Sequence, residues 1–502
     1  MSTPTRPSSP RALAVLLLAG ALAARAADAP PEPAAPPWTL PPAIAAALAQ
    51  AKVPQSAFAL WAQPVDAASP SWGVNPDAPL NPASVFKLVT TAAALDLLGP
   101  AWSWKTPVAF TGPVHKGVLQ GSLVIRGSGD PSLVMERLWL LLRRVRDAGV
   151  REIAGDIVLD HGAFAADPRS PADFDGAPSE PYNVLPDALL LNFKSVVLSF
   201  APDPEARVAR VVSEPPLAGF AVDATVPLAR GACDDWRGKL KAATDDAARW
   251  RFAGAYPASC GARSWPLAYA DPASYDARLV EALWREMGGG LKGQVHDGAG
   301  PPDATPAFEF ASPTLAEVVR DINKYSNNVM AEQVFLTLAA QSGQSAQAAR
   351  ATQTAQAPAV ATPEAARAVL ADWLHTRVGP AADATVIENG SGLARGTRIS
   401  ARALGALLQH VWRSPAMPEL ASSLPLNGVD GTLRRAASAT PGRAHLKTGS
   451  MRDVVAIAGY VLADSGRRYV LVAIVNDPNA GAARAALDAA VDWVARDPAS
   501  AR

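Results

Sequence analysis

The sequence predicts an α/β (α+β) fold in which the two ends of the chain build one antiparallel sheet flanked by helices. A strand-like run lies near one end at 57–65, and three further strand-like runs lie near the other end within 443–478. Between the two ends, 102–270 contains short apolar runs separated by Pro, Gly and Asp, which indicates a large, mainly β insert.

The first strand-like run, AFALWAQPV at 57–65, is followed by turn residues and then by a helical pattern. Apolar residues recur at helical spacing from Val85 to Leu98, and Gly99-Pro100 ends the pattern. Ser84 and Lys87 stand three positions apart where this helix begins. They therefore share one helix face.

The insert interrupts what we expect to be one domain, made of 27–101 and 271–502. We expect the insert at 102–270 to hold two nested subdomains. Helical patterns return after it, and they are followed by 341–362, a segment biased to Ala, Gln and Thr. That bias predicts a mobile loop.

Near the C-terminus, the second and third strand-like runs are joined by Asp464-Ser465-Gly466, which is a turn signal. An amphipathic helical pattern follows at about 481–494. Together with 57–65, these runs supply the strands of the predicted sheet.

The composition is typical of a globular protein with a sizeable core, since 49% of the 502 residues are hydrophobic. The 46 basic and 46 acidic side chains leave no net charge, and no long basic run is present. This balance excludes the electrostatic footprint of a nucleic-acid-binding or anionic-membrane-binding protein. We therefore expect no nucleic-acid partner.

Residues 1–26 have the features of a secretory signal peptide. Arg6 and Arg11 precede the apolar run 12–24, and Ala24-Arg25-Ala26 matches a small-x-small cleavage pattern. An uncleaved anchor is the alternative, but the run is shorter than the roughly 20 residues that a spanning helix needs. We expect cleavage near Ala26 and export, and no later segment has the pattern of a transmembrane helix.

Export changes how the two cysteines are interpreted, because disulfides form in oxidising compartments and are rare in the cytosol. Cys233 and Cys260 are the only cysteines of the chain. We favour a disulfide between them, and two separately buried thiols are the alternative.

The motifs predict neither a metal nor a cofactor. The six histidines include no HxxxH or HExxH pair, and the two cysteines lack metal-ligand spacing. No phosphate-binding P-loop is present. The segment RGSGDPS at 126–132 has two close glycines, but it follows a strand-like run and predicts a turn.

Ser84 and Lys87 suggest nucleophilic chemistry. A serine hydroxyl needs a base within hydrogen-bond reach, and a lysine with a lowered pKa can provide it. A helix N-terminus also presents free backbone N–H groups to a developing anion. Of the ten lysines, Lys87 alone has a serine three residues before it. The alternative for this pair is an ordinary solvated helix face.

Two further triplets favour the chemical interpretation. Ser326-Asn327-Asn328 lies between helical patterns, and Lys447-Thr448-Gly449-Ser450 lies in a strand-like run. Each motif also has a purely structural alternative. The first is a polar helix start, and the second is the end of a strand. In this order, however, S-x-x-K, S-x-N and K-T-G form the motif set of penicillin-recognising serine enzymes.

The chain resembles the class C low-molecular-mass penicillin-binding proteins, the D-alanyl-D-alanine carboxypeptidase/endopeptidase family of peptidase S13. The resemblance covers nearly the whole chain after the signal peptide. Beyond the motifs, the similar segments are PLNPASVFKLVTT, GDPSL, NGSGLARGTRIS, SLPLNGVDGTLRR and KTGSMRDVVAIAGYV. The long insert and the cysteine pair also fit, although the insert resembles the family more loosely, and 341–362 departs from it.

The resemblance implies a penicillin-binding-protein/serine β-lactamase-like transpeptidase fold. It also implies a serine-type D-Ala-D-Ala carboxypeptidase/endopeptidase that acts on peptidoglycan peptides through an acyl-enzyme on Ser84 and binds penicillin covalently. Lys87 would be the general base, Ser326 would relay a proton to the leaving amine, and Asn328 would hold the substrate amide and orient Lys87. Lys447 would help to bind the substrate carboxylate.

The remaining implied contacts also lie in the K-T-G segment. Thr448, Gly449 and Ser450 would bind substrate, and the backbone N–H groups of Ser84 and Ser450 would form the oxyanion hole. Asp175 is a speculative contact of the substrate side chain.

The implied partners are peptidoglycan peptides that end in D-Ala or are cross-linked through it, and β-lactam antibiotics. The implied location is the periplasm, with peripheral membrane contact allowed and no oligomeric state predicted. A serine β-lactamase, an esterase of the same fold and a catalytically silent wall-binding protein are the alternatives. The large insert argues against a β-lactamase, and the carboxylate-binding groups of the KTGS segment argue against an esterase. The complete motif set argues against a catalytically silent protein, which should have lost a catalytic residue.

Overall fold

The computed structural model describes residues 39–66, 71–246, 248–302, 304–350, 360–436 and 439–498. The predicted signal peptide, 1–26, lies outside the described residues. Residues from Leu40 onward form one unit. Among the described residues, no helix has both the length and the apolar character needed to cross a membrane.

The helices of the described ranges, in chain order, are α1 (Pro42–Gln50), α2 (Lys87–Leu98), α3 (Met135–Asp147), α4 (Trp236–Leu240), α5 (Pro272–Glu286), α6 (Leu315–Tyr325), α7 (Asn328–Arg350), α8 (Pro363–Val378), α9 (Ala401–Trp412), α10 (Met417–Ser423) and α11 (Arg484–Ala495).

The strands are β1 (Phe58–Pro64), β2 (Trp72–Val74), β3 (Lys105–Phe110), β4 (Val114–His115), β5 (Val118–Leu119), β6 (Leu123–Arg126), β7 (Glu152–Ile153), β8 (Ile157–Asp160), β9 (Ser195–Asp203), β10 (Val208–Glu214), β11 (Ala221–Val222), β12 (Thr225–Ala229), β13 (Ala242–Asp246), β14 (Arg249–Phe252), β15 (Tyr256–Pro257), β16 (Arg263–Ala268), β17 (Gly290–Leu291), β18 (Val295–Asp297), β19 (Pro306–Ala311), β20 (Ala444–Met451), β21 (Val454–Leu462) and β22 (Arg468–Asn476).

The two ends of the chain meet in one antiparallel sheet, which confirms the predicted fold class. Its strand order is β2-β1-β22-β21-β20, so the N-terminal β1 pairs with the C-terminal β22. The hairpin of β21 and β22 and the helix α11 also lie where the sequence predicted them. β22 is covered on both faces, because α9 and α11 both contact it and its apolar residues from Tyr469 to Val475 are fully buried.

The helix α2 lies inside this domain rather than on its surface. Every residue from Lys87 to Leu95 is buried. Helices α6, α7, α8 and α9 all contact α2. A polar side chain on α2 is therefore held away from water, which raises the cost of any charge it carries.

The insert is mainly β, as predicted, and contains four small sheets. Their strand orders are β18-β8-β6-β3-β19, β17-β7-β5-β4, β15-β12-β10-β9-β16 and β11-β14-β13. Buried residues from all four sheets belong to one hydrophobic cluster.

Strand pairing places residues beyond 270 with the insert. β17 and β18 pair in parallel with β7 and β8, and β19 pairs with β3. Residues 290–311, which the sequence-based division assigned to 271–502, therefore complete the sheets of the insert. The pairing joins segments that are far apart in the sequence, so no local pattern could reveal it. The division into domains and nested subdomains remains a prediction.

Helix α7 is longer than expected. It continues to Arg350, so the predicted loop at 341–362 is wrong over its first ten residues. Ala and Gln are strong helix formers, and their bias in this segment extends the helix. Residues 351–359 lie outside the described residues, and Ala361 forms an isolated β-bridge with Phe164.

The two cysteines form the predicted disulfide, Cys233–Cys260, with a Cα–Cα distance of 4.9 Å. The bond closes the segment that contains α4, and the two cysteines are separated by 27 positions in the sequence. In the chain-entropy account, closing a loop of this size contributes about 3 to 4 kcal/mol to the free energy of unfolding.

A buried ionic cluster joins the insert to α7. Lys194 Nζ donates to Asp187 Oδ2 at 2.7 Å and lies 3.0 Å from Asp276 Oδ2. The Asp187 backbone N–H donates to Gln333 Oε1 of α7 at 2.9 Å, and Gln333 Nε2 donates back to the Asp187 carbonyl at 2.8 Å. The ammonium of Lys194 thus links the buried Asp276 to the half-buried Asp187, whose backbone is hydrogen-bonded to α7.

Replacing Lys194 with Met should lower the free energy of unfolding by about 3 to 5 kcal/mol, because it leaves the buried carboxylate of Asp276 without its ammonium partner. Urea denaturation followed by tryptophan fluorescence measures the change. The matched control is Arg210→Met, which breaks an exposed pair with Asp203 and should cost less than about 1 kcal/mol. Equal effects of the two substitutions would contradict the role given to Lys194.

Candidate active site

Ser84 lies in a tight turn of 3₁₀ helix, Ala83–Phe86, that continues directly into α2. Asn81 fixes this turn. Its Oδ1 accepts from the Ala83 backbone N–H at 2.8 Å, and its Nδ2 donates to the Ala394 carbonyl at 2.8 Å. Asn476 Oδ1, at the end of β22, accepts from the Asn81 backbone N–H at 2.7 Å. The turn is therefore anchored to the central sheet.

Two glycines allow other segments to pack against the Ser84 turn. A Cβ on Gly392, whose φ is +73°, would lie 2.1 Å from the Ala83 carbonyl oxygen. A Cβ on Gly449 of β20 would lie 2.4 Å from the Pro82 carbonyl oxygen. Real Cβ atoms do not approach backbone oxygens so closely. The glycine of the K-T-G motif is thus required by the packing of β20 against the Ser84 turn.

Lys87 is fully buried, and its ammonium donates to three oxygens. It donates to Ser84 Oγ at 2.9 Å, Asn328 Oδ1 at 2.6 Å and the Ser391 carbonyl at 2.7 Å. Burial, together with the positive charge of Lys447, lowers the pKa of Lys87 well below its usual value, while the carboxylate of Glu332 opposes this shift. Lys87 therefore loses its proton more readily than an exposed lysine does.

Ser326 separates two helices. α6 begins at a capping box formed by Thr314 and Glu317 and ends at Ser326, which has φ +59° in the left-handed region. Lys447 Nζ donates to Ser326 Oγ at 2.8 Å and to the Thr448 carbonyl at 2.8 Å. Burial lowers the pKa of Lys447 to about 7. The second and third motifs therefore meet through this pair.

Asn328 is the first residue of α7 and connects Lys87 to the insert. Its Oδ1 accepts from Lys87, and its Nδ2 donates to the Tyr182 carbonyl at 3.0 Å. The Tyr182 hydroxyl donates in turn to Asp175 Oδ2 at 2.8 Å. Asp175 therefore borders the segment of the insert that contacts Asn328.

The K-T-G strand carries two further hydroxyls. Thr448 Oγ1 lies 2.7 Å from Thr432 Oγ1, and Ser450 Oγ accepts from Arg484 Nη2 at 2.9 Å. Thr432 lies in a segment, SLPLNGVDGTLRR, whose resemblance to the family was the available signal. Nothing in the local sequence around Arg484 pointed to the site.

Three more residues, connected to Lys87 through a chain of hydrogen bonds, were missed from the sequence: Ser391, Glu332 and Arg169. Ser391 lies in NGSGLARG, another segment that resembles the family, and Glu332 follows Asn328 by one helical turn. Ser391 Oγ donates to Glu332 Oε1 at 2.9 Å, and Arg169 Nη2 donates to Glu332 Oε2 at 2.6 Å. No sequence signal singled out Arg169.

A cavity of about 560 Å³ lies beside this group. The insert segment 165–174 lines one side, and Glu332, Asn389 and Arg395 line another. The Arg395 guanidinium lies 4.9 Å from the centroid of the Phe174 ring. The cavity is therefore bordered by both the insert and the helical part of the fold.

The described residues contain one group of side chains with the spacing of metal ligands, His161, Asp187 and Asp276. Lys194 donates to Asp187 and pairs with Asp276, so an internal ammonium already supplies the positive charge these carboxylates require. The group lies in the insert segment and in α5, and it shares no residue with the three motifs.

Together, these features define a serine enzyme of the penicillin-binding-protein class, in which three motifs converge and a buried lysine contacts the serine. The sequence profile of the D-Ala-D-Ala carboxypeptidase 3 (S13) family matches residues 40–497. The chain belongs to this family.

Individual proteins show the same similarity. The D-alanyl-D-alanine carboxypeptidase of Actinomadura sp. strain R39 is 29% identical over 437 residues, which cover 82% of this chain and 76% of that protein. The structure of penicillin-binding protein 4 from Haemophilus influenzae, complexed with a β-lactam, superposes with a TM-score of 0.67 at 20% identity and covers 90% of this chain and 98% of that one.

A third similar structure is the predatory endopeptidase Bd3459 from Bdellovibrio bacteriovorus, in complex with the immunity protein Bd3460. It has a TM-score of 0.51 at 15% identity and covers 87% of this chain and 92% of that one. At these identities the structures support the fold, which is that of penicillin-binding proteins.

Replacing Gly392 with Ala should lower the free energy of unfolding by about 1 to 3 kcal/mol more than replacing Gly379, because it adds a clash to the cost of positive φ. The matched control Gly379→Ala has φ +78° and open space around its Cβ. Thermal unfolding of both variants measures the difference. Equal destabilisation would show that the segment at Gly392 does not pack against the Ser84 turn as described.

Proposed function

We propose that this protein is a serine-type D-Ala-D-Ala carboxypeptidase and endopeptidase that acts on peptidoglycan peptides through an acyl-enzyme on Ser84. The observation that carries the proposal is the fully buried ammonium of Lys87, 2.9 Å from Ser84 Oγ and with a lowered pKa. A lysine in this state can act as the base that a serine nucleophile requires.

Acylation begins when neutral Lys87 accepts the Ser84 proton and Ser84 Oγ attacks the carbonyl carbon between two D-alanines. The carbonyl oxygen becomes an oxyanion, which the backbone N–H groups of Ser84 and Ser450 stabilise. When the carbon–nitrogen bond breaks, the leaving amine takes a proton from the Ser326 hydroxyl, which is reprotonated by the proton that Lys87 accepted, so Lys87 is neutral again. Water then attacks the ester, releases the shortened peptide and restores the Ser84 hydroxyl.

The contacts of Ser326 support its role as the relay. Its hydroxyl accepts from Lys447 at 2.8 Å, so its own proton is free to point towards the leaving nitrogen. Lys447 also provides positive charge beside Lys87, which helps to keep Lys87 neutral. Asn328 Oδ1 accepts from the Lys87 ammonium and orients it, and one N–H of Asn328 Nδ2 donates to the Tyr182 carbonyl. We assign the second N–H of this amide to the substrate.

The K-T-G strand suits a substrate that ends in a carboxylate. Lys447, Thr448 and Ser450 lie on this strand, and Thr432 and Arg484 are hydrogen-bonded to its hydroxyls. Hydroxyl and cationic groups in this arrangement bind a carboxylate through charge-assisted hydrogen bonds. Gly449 contributes by allowing the strand to approach the Ser84 turn. The cavity beside Glu332 offers space for the rest of the peptide.

The same attack opens a β-lactam ring and leaves a covalent adduct on Ser84. The similarity to a penicillin-binding protein solved with a β-lactam supports this reactivity. The relative named a predatory endopeptidase supports action on cross-linked peptides as well as on free D-Ala termini. The predicted signal peptide and the disulfide agree with a periplasmic location.

Ser84→Ala should abolish labelling by a fluorescent penicillin and hydrolysis of a D-Ala-D-Ala peptide while leaving the thermal unfolding temperature within a few degrees, because only one hydroxyl is removed. Mass spectrometry of the digested wild-type adduct locates the labelled residue. Ser264→Ala, an exposed serine of β16, is the control and should keep full labelling. Labelling of the Ser84→Ala variant would contradict the proposal.

Lys87→Arg should reduce penicillin acylation by at least about 100-fold, the usual contribution of general-base catalysis. Arginine keeps the positive charge but stays protonated, so it cannot accept the Ser84 proton. Stopped-flow acylation kinetics measure the loss, and thermal unfolding shows whether the variant is folded. Lys292→Arg, at an exposed ion pair with Glu152, is the control. Normal acylation by folded Lys87→Arg would exclude Lys87 as the base.

A further inference from the structure

Glu332 is a buried carboxylate next to the proposed general base, and none of the three motifs includes it. It follows Asn328 by four residues on α7, so both side chains lie on one helix face. It is only 6% exposed. A carboxylate removed from water in this way requires partners, because an unpaired buried charge is costly.

Both carboxylate oxygens of Glu332 are hydrogen-bonded. Oε1 accepts from the Ser391 hydroxyl at 2.9 Å, and Oε2 accepts from Arg169 Nη2 at 2.6 Å. Arg169 belongs to the insert and also pairs with Asp167. Glu332 therefore connects the insert to the loop that contains Ser391.

The Ser391 carbonyl is one of the three acceptors of the Lys87 ammonium, at 2.7 Å. The position of this carbonyl depends on its loop. Asn389 Oδ1 accepts from the backbone N–H groups of Ser391 and Gly392 at 3.1 and 3.0 Å. Only Ser391 separates the carboxylate of Glu332 from the ammonium of Lys87 along this chain of hydrogen bonds.

We propose that Glu332 is a positioning residue for Lys87, acting through the Ser391 carbonyl and through its own buried negative charge. The inference rests on the proposed function, since it assigns Lys87 the role of base. It adds a residue that acts on the base through Ser391 and does not itself contact the reacting atoms.

The charges around Lys87 explain why a carboxylate near it, such as that of Glu332, affects its action as a base. Lys447 faces it from β20 and Glu332 faces it from α7, while Arg169 of the insert partly balances Glu332. Burial and Lys447 both lower the pKa of Lys87, and Glu332 raises it. A base must be neutral before the reaction and yet bind the proton it receives, so its pKa has to lie near the working pH. Glu332 opposes an excessive lowering.

The test is the pH dependence of penicillin acylation in Glu332→Gln. The rate of acylation rises with pH as Lys87 loses its proton. Removing the negative charge lowers the pKa of Lys87, so this rise should move to lower pH, by about half a unit or more. Glutamine keeps an oxygen that can accept from Ser391 Oγ, which leaves the loop a hydrogen bond. A merely structural role would change the rate without moving the profile.

Asp96→Asn is the matched control. Asp96 lies on α2, the helix of Lys87, and accepts from Trp373 Nε1 at 2.8 Å and Arg377 Nε at 2.9 Å. The substitution removes a carboxylate charge at the far end of the same helix. Its pH profile should match that of the wild type. A folded Glu332→Gln variant whose profile is unchanged, or moves to higher pH, would overturn the inference.

Ser391→Ala decides the matter if Glu332→Gln does not fold. It removes the hydroxyl between Glu332 and the loop and keeps every charge. We expect acylation at least about tenfold slower, because a small displacement of a catalytic group is costly, with a normal thermal unfolding temperature. An unchanged rate would overturn the inference. Failure of penicillin to acylate the wild type would instead contradict the proposed function itself.

Discussion

The burial of the Lys87 ammonium is the interaction on which the rest of the site depends. A cation inside a protein is tolerated only where acceptors surround it. Here the acceptors come from the Ser84 turn, the start of α7 and the loop at Ser391, which are far apart in the sequence. Satisfying one ammonium therefore requires three distant segments to meet, and their meeting places Lys87 beside Ser84.

The packing around α2 makes that burial possible. The helix is enclosed along the stretch that starts at Lys87, and β20 lies against the Ser84 turn because Gly449 has no side chain to prevent it. Lys447 is then close enough for its positive charge to lower the pKa of Lys87. Buried like charges reduce the stability of the fold, and the large core of the central sheet offsets that cost.

The insert is part of the wall of the site as well as a separate set of sheets. Its Tyr182 carbonyl accepts from Asn328, and its Arg169 binds Glu332. Lys194 of the insert binds Asp187, and the Asp187 backbone N–H donates to Gln333 of α7. Three consecutive contacts with α7 thus fix the helix that contributes Asn328. A rigid support of this kind keeps a base within hydrogen-bond reach of its nucleophile.

The sequence by itself determined the elements whose information is local. The order of the three motifs, the strands of the central sheet and the pairing of two lone cysteines were all predicted from spacing and composition. The tertiary structure alone decided that 290–311 completes the sheets of the insert, and that Ser391 contacts Lys87 while Glu332 and Arg169 lie behind Ser391. Those features depend on contacts between residues far apart in the chain. Periodicity and motif spacing describe neighbours along the sequence, so they do not contain that information.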